Sequence, residues 1–220
     1  YPPDGKIPAV VEGAYYQLGS LGVDIPGERP MRALFGGISK EGPEDRGLSE
    51  RCIMGFNSGP PFVPSGYNNN VQFFQHKDTV VIMTEMVHDA RIVPLDGTPH
   101  IDDGIRQWTG DSRGFWEGDT LVVETRNFTG MSQSFKPTPY GDDYDKVITE
   151  RFTRVNADTM SYEFTIDDPG TFTDKLTAVI PMSLVDGLLY EYACHEGNYG
   201  MTNTLRGARW EETNLVSEAN

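Results

Sequence analysis

The chain has 220 residues, of which 37% are hydrophobic and 11% aromatic, and its formal net charge is −15. This size suits one well-packed β domain, and the acidic surface repels phosphate backbones and anionic membranes, so neither nucleic acid nor membrane is an expected partner. No apolar run approaches the roughly 20 residues that span a bilayer. The start at Tyr1 rather than at Met is consistent with removal of a leader or tag.

Residues 1–66 are predicted to be an arm that wraps the rest of the chain. They are rich in Gly and Pro and show little of the alternation that strands display. A short helix is indicated within residues 39–51, because Pro43 stands near its start and acidic residues follow.

Four successive β-hairpins are predicted in the body of the chain. The paired segments are 71–75 with 79–87, a strand ending at Trp116 with 121–125, 148–155 with 159–166, and 175–184 with 188–193. Successive hairpins form an antiparallel meander, and a long meander closes into a barrel or folds as a sandwich. We therefore predict an all-β chain whose body, residues 67–195, is a lipocalin-like β-barrel.

A long loop and a C-terminal helix complete the prediction. Residues 128–146 form an insertion with Gly, Pro and Ser, and long loops inside compact domains are often functional. Residues 198–212 place Met201, Leu205 and Ala208 on one helical face, so residues 196–220 are assigned to a short helix and tail. All 220 residues are expected to form one domain.

Cys52 and Cys194 are the two cysteines, and no Cys/His cluster accompanies them. They are either a disulfide that ties the arm to the last strand or two unrelated buried thiols. The acidic composition and the acceptor sequence Asn127-Phe128-Thr129 favour the disulfide, glycosylation of Asn127 and the secretory pathway.

His88 and Arg91 are candidate catalytic residues. Residues 85–91 have the composition of a strand, in which Glu85 and Arg91 would share one face and His88 the other. If the apolar face points inward, His88 is a proton shuttle in a cavity or a satisfied core histidine; otherwise Glu85 and Arg91 form the site. A bulge between His88 and Arg91 would let both contribute.

The amides that precede the first predicted strand could bind a ligand. Three consecutive asparagines at 68–70 can hold a hydroxyl or carbonyl group, or they can satisfy the backbone of a turn. Asn69 is assigned a catalytic role beside His88 and Arg91. Aromatic residues of the arm and the long loop are expected at the mouth of an apolar pocket. The predicted substrate-binding residues are Tyr67, Asn68, Asn70, Glu85, Trp108, Phe135 and Tyr140.

The segment from His195 to Tyr199 is a second polar candidate. His195 and Glu196 could act as a catalytic pair, or Glu196 or Asn198 could cap the following helix. The histidine spacings give no metal site, and the chain has no P-loop, dinucleotide fingerprint or G-x-S-x-G motif, so we predict neither metal nor cofactor.

Several motifs together resemble a large group of secreted, mostly uncharacterised bacterial and fungal proteins, and the likeness covers roughly residues 50–212. The fungal members of this group resemble the hetero-Diels–Alderases of tropolonic sesquiterpenoid biosynthesis. The resemblance implies dehydration to a tropolone quinone methide and its cycloaddition with a terpene alkene. The motifs are Ser65-Gly66-Tyr67-Asn68-Asn69-Asn70, Met86-Val87-His88-Asp89-Ala90-Arg91-Ile92, and residues 106–114, 116–125 and 191–199.

The leading functional prediction is a cofactor-free enzyme that binds a small apolar substrate in a barrel cavity. A carbohydrate-active lyase or hydrolase would use Glu85 or Glu196 with His88 as acid and base. A non-catalytic carrier of lipocalin type is the third alternative. Convergent titratable groups in a cavity would favour an enzyme, whereas a smooth apolar pocket would favour the carrier. The sequence leaves a homo-oligomer open.

Overall fold

The computed structural model describes residues 1–14, 40–141 and 144–218, with side chains up to residue 214. Its regular structure is antiparallel β-structure followed by one C-terminal helix, as predicted. The strands are β1 Val71–His76, β2 Thr79–Thr84, β3 Ala90–Pro94, β4 Asp111–Glu117, β5 Thr120–Arg126, β6 Val147–Arg154, β7 Thr159–Asp167 and β8 Leu176–Ser183, and helix α1 is Tyr199–Glu218.

The strands form two antiparallel sheets. One has three strands in the order β1-β2-β3, and the other has five in the order β4-β5-β6-β7-β8. Within the described ranges, no strand pairing joins the sheets into a closed barrel. The mostly β architecture with a C-terminal helix is therefore confirmed, while barrel closure stays a prediction.

Three of the four predicted hairpins are present, and the fourth is wrong. β8 pairs with β7, with Thr159 opposite Ser183, but residues 188–193 form no strand. The composition of these residues favours an extended backbone locally, but a strand also needs a neighbouring strand with which to form hydrogen bonds. This segment instead leads from the end of β8 to Cys194.

The predicted strand through residues 85–91 is also wrong. β2 ends at Thr84, and a 3₁₀ turn follows at Met86–His88, where Val87 and His88 have φ values of 59° and 45°. The Thr84 backbone N–H donates to the Asp89 carbonyl oxygen at 2.8 Å, which closes a β2–β3 hairpin. This tight turn leaves His88 exposed while Arg91, on β3, is buried.

The hydrophobic core lies between the two sheets. Alternate residues of β6 and β7 point inward, so that Ile148, Phe152 and Phe164 are buried with Val93 of β3. Gly114 lets the sheets approach each other, because a Cβ atom there would lie 2.8 Å from a methyl group of Val93.

The first residues of the chain contact the connection between β7 and β8 and the start of β8. The Val11 N–H donates to the Thr171 carbonyl oxygen, and the Tyr1 ammonium donates to the Thr177 carbonyl oxygen. Of the predicted 39–51 helix, residue 39 lies outside the described residues, and residues 40–51 contain a 3₁₀ turn at Pro43–Asp45 as their only helical element. These contacts agree with a wrapping arm, and the division of residues 1–220 into arm, body and tail stays a prediction.

The disulfide between Cys52 and Cys194 is confirmed, with their Cα atoms 5.8 Å apart. Cys194 lies in a turn rather than in the predicted last strand, so the disulfide bond links the arm to the turn that precedes the N-terminus of α1. Asn198 caps this helix, because its Oδ1 atom accepts from the Met201 N–H at 3.4 Å. On the predicted inner face of the helix, Ala208 is buried.

Candidate functional site

A cleft of about 1010 Å³ lies between the two sheets. Its wall includes the rings of Phe62, Phe73 and Phe152, with the Phe73 and Phe152 centroids 5.1 Å apart. This volume lies at the upper end of the range of about 300–1,000 Å³ that is typical of small-molecule sites. The aliphatic side chains of the lining are Val63, Val71, Val80, Leu121, Met160, Ile180, Met182, Leu184, Val185, Leu188 and Leu189.

Asn57 and Asn69 also line the cleft, and hydrogen bonds within the protein hold both amides. Asn69 donates to the Ser65 carbonyl oxygen and accepts from the Ser65 N–H, each at 2.8 Å. Asn57 Nδ2 donates to Asn69 Oδ1 at 3.0 Å, and Asn57 Oδ1 is buried without a hydrogen-bond partner in the described chain. These bonds support the turn-forming alternative for Asn69 and fix the shape of the wall.

A buried charged cluster lies behind the aromatic wall. Arg91 donates to both carboxylate oxygens of Glu150, at 2.6 and 3.1 Å, and its guanidinium carbon lies 5.1 Å from the centroid of Phe62. Tyr162 donates to Glu150 Oε1 at 2.8 Å and accepts from the Phe62 N–H at 2.9 Å. Burial raises the pKa of Tyr162, and the Glu150 charge raises it further. Phe62 thus connects the cleft to this cluster.

Lys136 and Asp89 add two titratable groups near the same cluster. Desolvation lowers the pKa of Lys136 to about 7, although the nearby Asp89 carboxylate opposes the shift. Burial raises the pKa of Asp89, while the Lys136 and Arg91 charges oppose that change. The Lys136 amine donates to the Ser58 carbonyl oxygen.

A second polar cluster holds the loop after β3 against β4. His100 Nδ1 lies 2.8 Å from Asp111 Oδ2, and the Ile101 N–H donates to the same oxygen at 3.2 Å. Arg113 donates to Asp111 Oδ1 at 2.8 Å and to the Pro99 carbonyl oxygen at 2.9 Å. Because the Asp111 carboxylate and the Arg113 guanidinium are hydrogen-bonded to other groups of the protein, we assign this cluster a structural role.

The structure separates the three predicted catalytic residues. His88 is exposed in its turn, Arg91 is buried on β3, and Asn69 lies just before β1. Of these, Asn69 lines the cleft, and Arg91 is placed behind the Phe62 wall. Glu85 and Arg91 are both buried, but they do not share a strand face, because β2 ends at Thr84 and β3 begins at Ala90.

The predicted substrate-binding residues are scattered. Asn70 lines the cleft and donates to Glu85 Oε2 at 2.8 Å. The backbone carbonyl oxygen of Asn68 accepts a hydrogen bond from Asn57 Nδ2. Tyr67 is exposed and packs edge-on against Phe56.

The other aromatic candidates lie elsewhere. Trp108 packs in a separate apolar cluster with Leu48 and Met54, and Phe135 packs 6.1 Å from Phe164. The Tyr140 carbonyl oxygen accepts from the Ser134 N–H. None of these three aromatic residues lines the cleft described above. Farther along, His195 and Glu196 are exposed beside the Asn198 cap, which agrees with the capping alternative.

The folded structure does not accommodate a glycan on Asn127. Its side chain is buried, and Nδ2, the atom that a glycan would occupy, donates to the carbonyl oxygens of Ile101, Asp102 and Ile105. Glycosylation would replace one of the two Nδ2 hydrogens and would displace the carbonyl groups that now surround this atom.

Glu150, Tyr162 and Lys136 were not predicted from the sequence. Glu150 could have been found, because it stands at an inward position of β6 between Ile148 and Phe152, where a charge requires a buried partner. Lys136 offered no comparable pattern, since its burial depends on the path of a loop.

Among the described residues, no group of three or more His, Cys, Asp or Glu side chains converges to hold a metal ion. The absence of a cofactor stays a prediction. No helix in the same described ranges is long and apolar enough to cross a membrane.

Comparisons with protein-family models, curated proteins and solved structures found no match to the chain.

Proposed function

We propose that this chain is a cofactor-free enzyme that binds a small, largely apolar substrate in the cleft between its sheets. The observation that carries this proposal is the cleft of about 1010 Å³, whose aromatic wall adjoins a buried cluster of charged and phenolic groups. Apolar rings offer contact area to a hydrocarbon, and the cluster behind them fixes the position of the wall.

The proposed reaction is a hetero-Diels–Alder cycloaddition, as the sequence resemblance implies. Such a reaction needs two reactants held in a near-attack geometry, which can supply several kcal/mol. The cleft volume supports simultaneous binding of a tropolone quinone methide and a terpene alkene. Exposed parts of Asn69 and Asn70 are the polar groups that could orient an oxygen atom.

We further propose that the two sheets act as an open, lipocalin-like barrel around this cleft, and that the protein is secreted. The apolar lining supports the first proposal. The disulfide supports the second, because such bonds persist in oxidising compartments.

To test the proposal, the protein is incubated with a hydroxymethyl tropolone and a humulene-type alcohol. The rate at which the cycloadduct forms and its enantiomeric ratio are measured. Two neighbouring residues of β8 provide a matched pair of variants: Ile180 lines the cleft, whereas Val179 is 60% exposed. Ile180→Trp should lower turnover by filling the cleft, and Val179→Trp should leave it unchanged. Product of the same enantiomeric ratio with and without protein would contradict the proposal.

A ligand carrier is the second candidate, favoured by the many aliphatic residues of the lining. The same pair of variants separates the two functions. A carrier would bind the tropolone or the alcohol with an affinity that Ile180→Trp weakens, without accelerating the reaction. The carbohydrate alternative has less support, because Glu85 is hydrogen-bonded to Asn70 and His88 is exposed.

A further inference from the structure

Arg154 stands on the inner face of the five-stranded sheet, at the open end of the cleft. Alternate residues of β6 face inward, and the buried Glu150 and Phe152 precede Arg154 in this series. Arg154 lies opposite Met160 of β7, which lies opposite Met182 of β8, and all three line the cleft. An arginine therefore ends a cross-strand row whose other members are methionines.

The cleft changes from apolar to charged between its depth and its mouth. The next row inward consists of Phe152, Tyr162 and Ile180, and the first two rings are buried and stacked with their centroids 4.9 Å apart. Arg154 is exposed, whereas Met160 beside it is half-buried. A ligand that lays an apolar chain along this wall presents its other end to the guanidinium.

The guanidinium of Arg154 is held in place and has unused donors. Nε donates to the Asn156 carbonyl oxygen at 3.2 Å and Nη2 to the Ala157 carbonyl oxygen at 2.9 Å, both in the turn after β6. A guanidinium has about five N–H donors, so most of them remain available. Among the residues that the structure describes, no carboxylate forms an ion pair with Arg154, whereas Arg151, on the outer face of β6, is paired with Glu117.

Two carboxylates also line the cleft, and they restrict the kind of anion that can bind. Asp119 lies in the turn between β4 and β5, and Asp158 in the turn between β6 and β7. Both residues are exposed, so water and salt screen their charges. Their repulsion disfavours a multiply charged head group. A singly charged carboxylate suits one guanidinium, which can donate to both of its oxygen atoms.

We propose that Arg154 binds the carboxylate of an amphiphilic ligand, such as a medium-chain fatty acid, whose hydrocarbon chain lies in the cleft. The inference uses the cleft of the proposed function and goes beyond the cycloaddition. Burial of the chain against the aromatic and methionine wall supplies affinity. The guanidinium fork supplies orientation and selects the acid over an uncharged analogue.

The experiment is isothermal titration of the protein with decanoate and with decan-1-ol, which has the same chain length and no charge. Arg154→Met should weaken decanoate binding by roughly fivefold to tenfold, since a charge-assisted pair at an exposed mouth is partly screened. It should leave the affinity for decan-1-ol unchanged. Arg151→Met is the matched control, because it removes the same charge from the outer face of the same strand and should leave both affinities unchanged.

Two further variants test the head-group contact independently. Arg154→Lys keeps the charge but loses the planar fork, so its affinity for decanoate should lie between those of the wild type and Arg154→Met. Asp158→Asn removes a repelling charge from the cleft lining, so it should strengthen decanoate binding without changing that of decan-1-ol.

Equal affinities of the wild type and Arg154→Met for decanoate would overturn the proposal. Binding of decan-1-ol without binding of decanoate would overturn it as well, but would leave the cleft as a site for apolar ligands, so that the proposed function survives. Absence of binding by either compound would overturn the carboxylate site and would also count against the proposed function.

Discussion

Arg91 on β3 and Glu150 on β6 form a bidentate ion pair that joins the three-stranded sheet to the five-stranded sheet. Glu150 is fully buried, and Tyr162 supplies a third hydrogen bond to its carboxylate. Burial of a charge is costly unless the charge is paired and hydrogen-bonded, so this contact constrains how the sheets meet. It also fixes Phe62, which contacts both Arg91 and Tyr162 in the wall of the cleft.

The first prediction concerns the stability of this pair. Arg91→Met leaves the Glu150 carboxylate buried without its cation, and it should lower the free energy of unfolding by about 3–5 kcal/mol. The exposed pair between Arg151 and Glu117, at 2.6 Å, is the matched control. Arg151→Met should change stability by less than about 1 kcal/mol. Urea denaturation measures both variants.

The double variant Arg91→Met, Glu150→Leu separates pairing from burial. Because it removes both charges, it should recover much of the stability that Arg91→Met loses. A double variant as unstable as the sum of the single ones would show that Arg91 and Glu150 are not energetically coupled.

Local patterns predicted the β-rich body well because period-two alternation and tight-turn residues act over a few neighbours. The β4–β5 hairpin is closed at Gly118, whose φ is 58°, a conformation that glycine adopts without strain. The same reasoning failed at His88, where β-prone composition continued through a turn with two left-handed non-glycine residues. Here the tertiary fold overrides local preference.

The candidate site was harder to predict than the strands. Arg91 was identified from its chemistry, but its partners lie on β6, β7 and two loops, and their arrangement depends on how the sheets face each other. The amides of Asn57 and Asn69 illustrate the same difficulty. Their sequence predicts many hydrogen bonds, but only the fold decides whether the partner is a ligand or the protein's own turn.

The second prediction concerns the acceptor sequence at Asn127. Since the buried Asn127 side chain donates through Nδ2 to three backbone carbonyl oxygens, the protein expressed through a secretory pathway should carry no glycan there. Intact mass before and after glycosidase treatment measures this.

Asn127→Ala should lower the free energy of unfolding by about 2–3 kcal/mol, because carbonyl oxygens lose their donors and the residue has a φ of 58°. A fully glycosylated, folded protein would disprove the described packing of Asn127.

The third prediction concerns the disulfide. In a chain-entropy model, closure of a loop of 142 residues stabilises the fold by about 5 kcal/mol, and measured values run at about 2–5 kcal/mol. Cys52→Ser, Cys194→Ser should therefore unfold at lower urea concentration. Reduction should raise the intact mass of the native protein by about two hydrogen atoms. An oxidised and a reduced protein with the same denaturation midpoint would contradict this contribution.

The fourth prediction concerns the pH dependence of stability that Lys136 confers. Its pKa is about 7 in the folded chain and 10.5 in the unfolded chain, so between these values the unfolded state binds more protons. Stability contributed by this group therefore rises with pH through that window, by at most about 1.4 kcal/mol per pH unit. Below about pH 7 both states are protonated, and the folded protein bears the full cost of burying the charge.

Lys136→Met removes this titration, so the stability of the wild type relative to the variant should increase as pH rises from about 7 to about 9.5. Urea denaturation at several pH values measures the difference, and the upper limit avoids titration of tyrosines. Lys175→Met is the control, because the hydrogen bond from Lys175 to Asp167 raises the pKa of the amine, which stays protonated across this range in both states. Parallel stability curves for the wild type and Lys136→Met would show that the Lys136 amine is not desolvated in the folded protein.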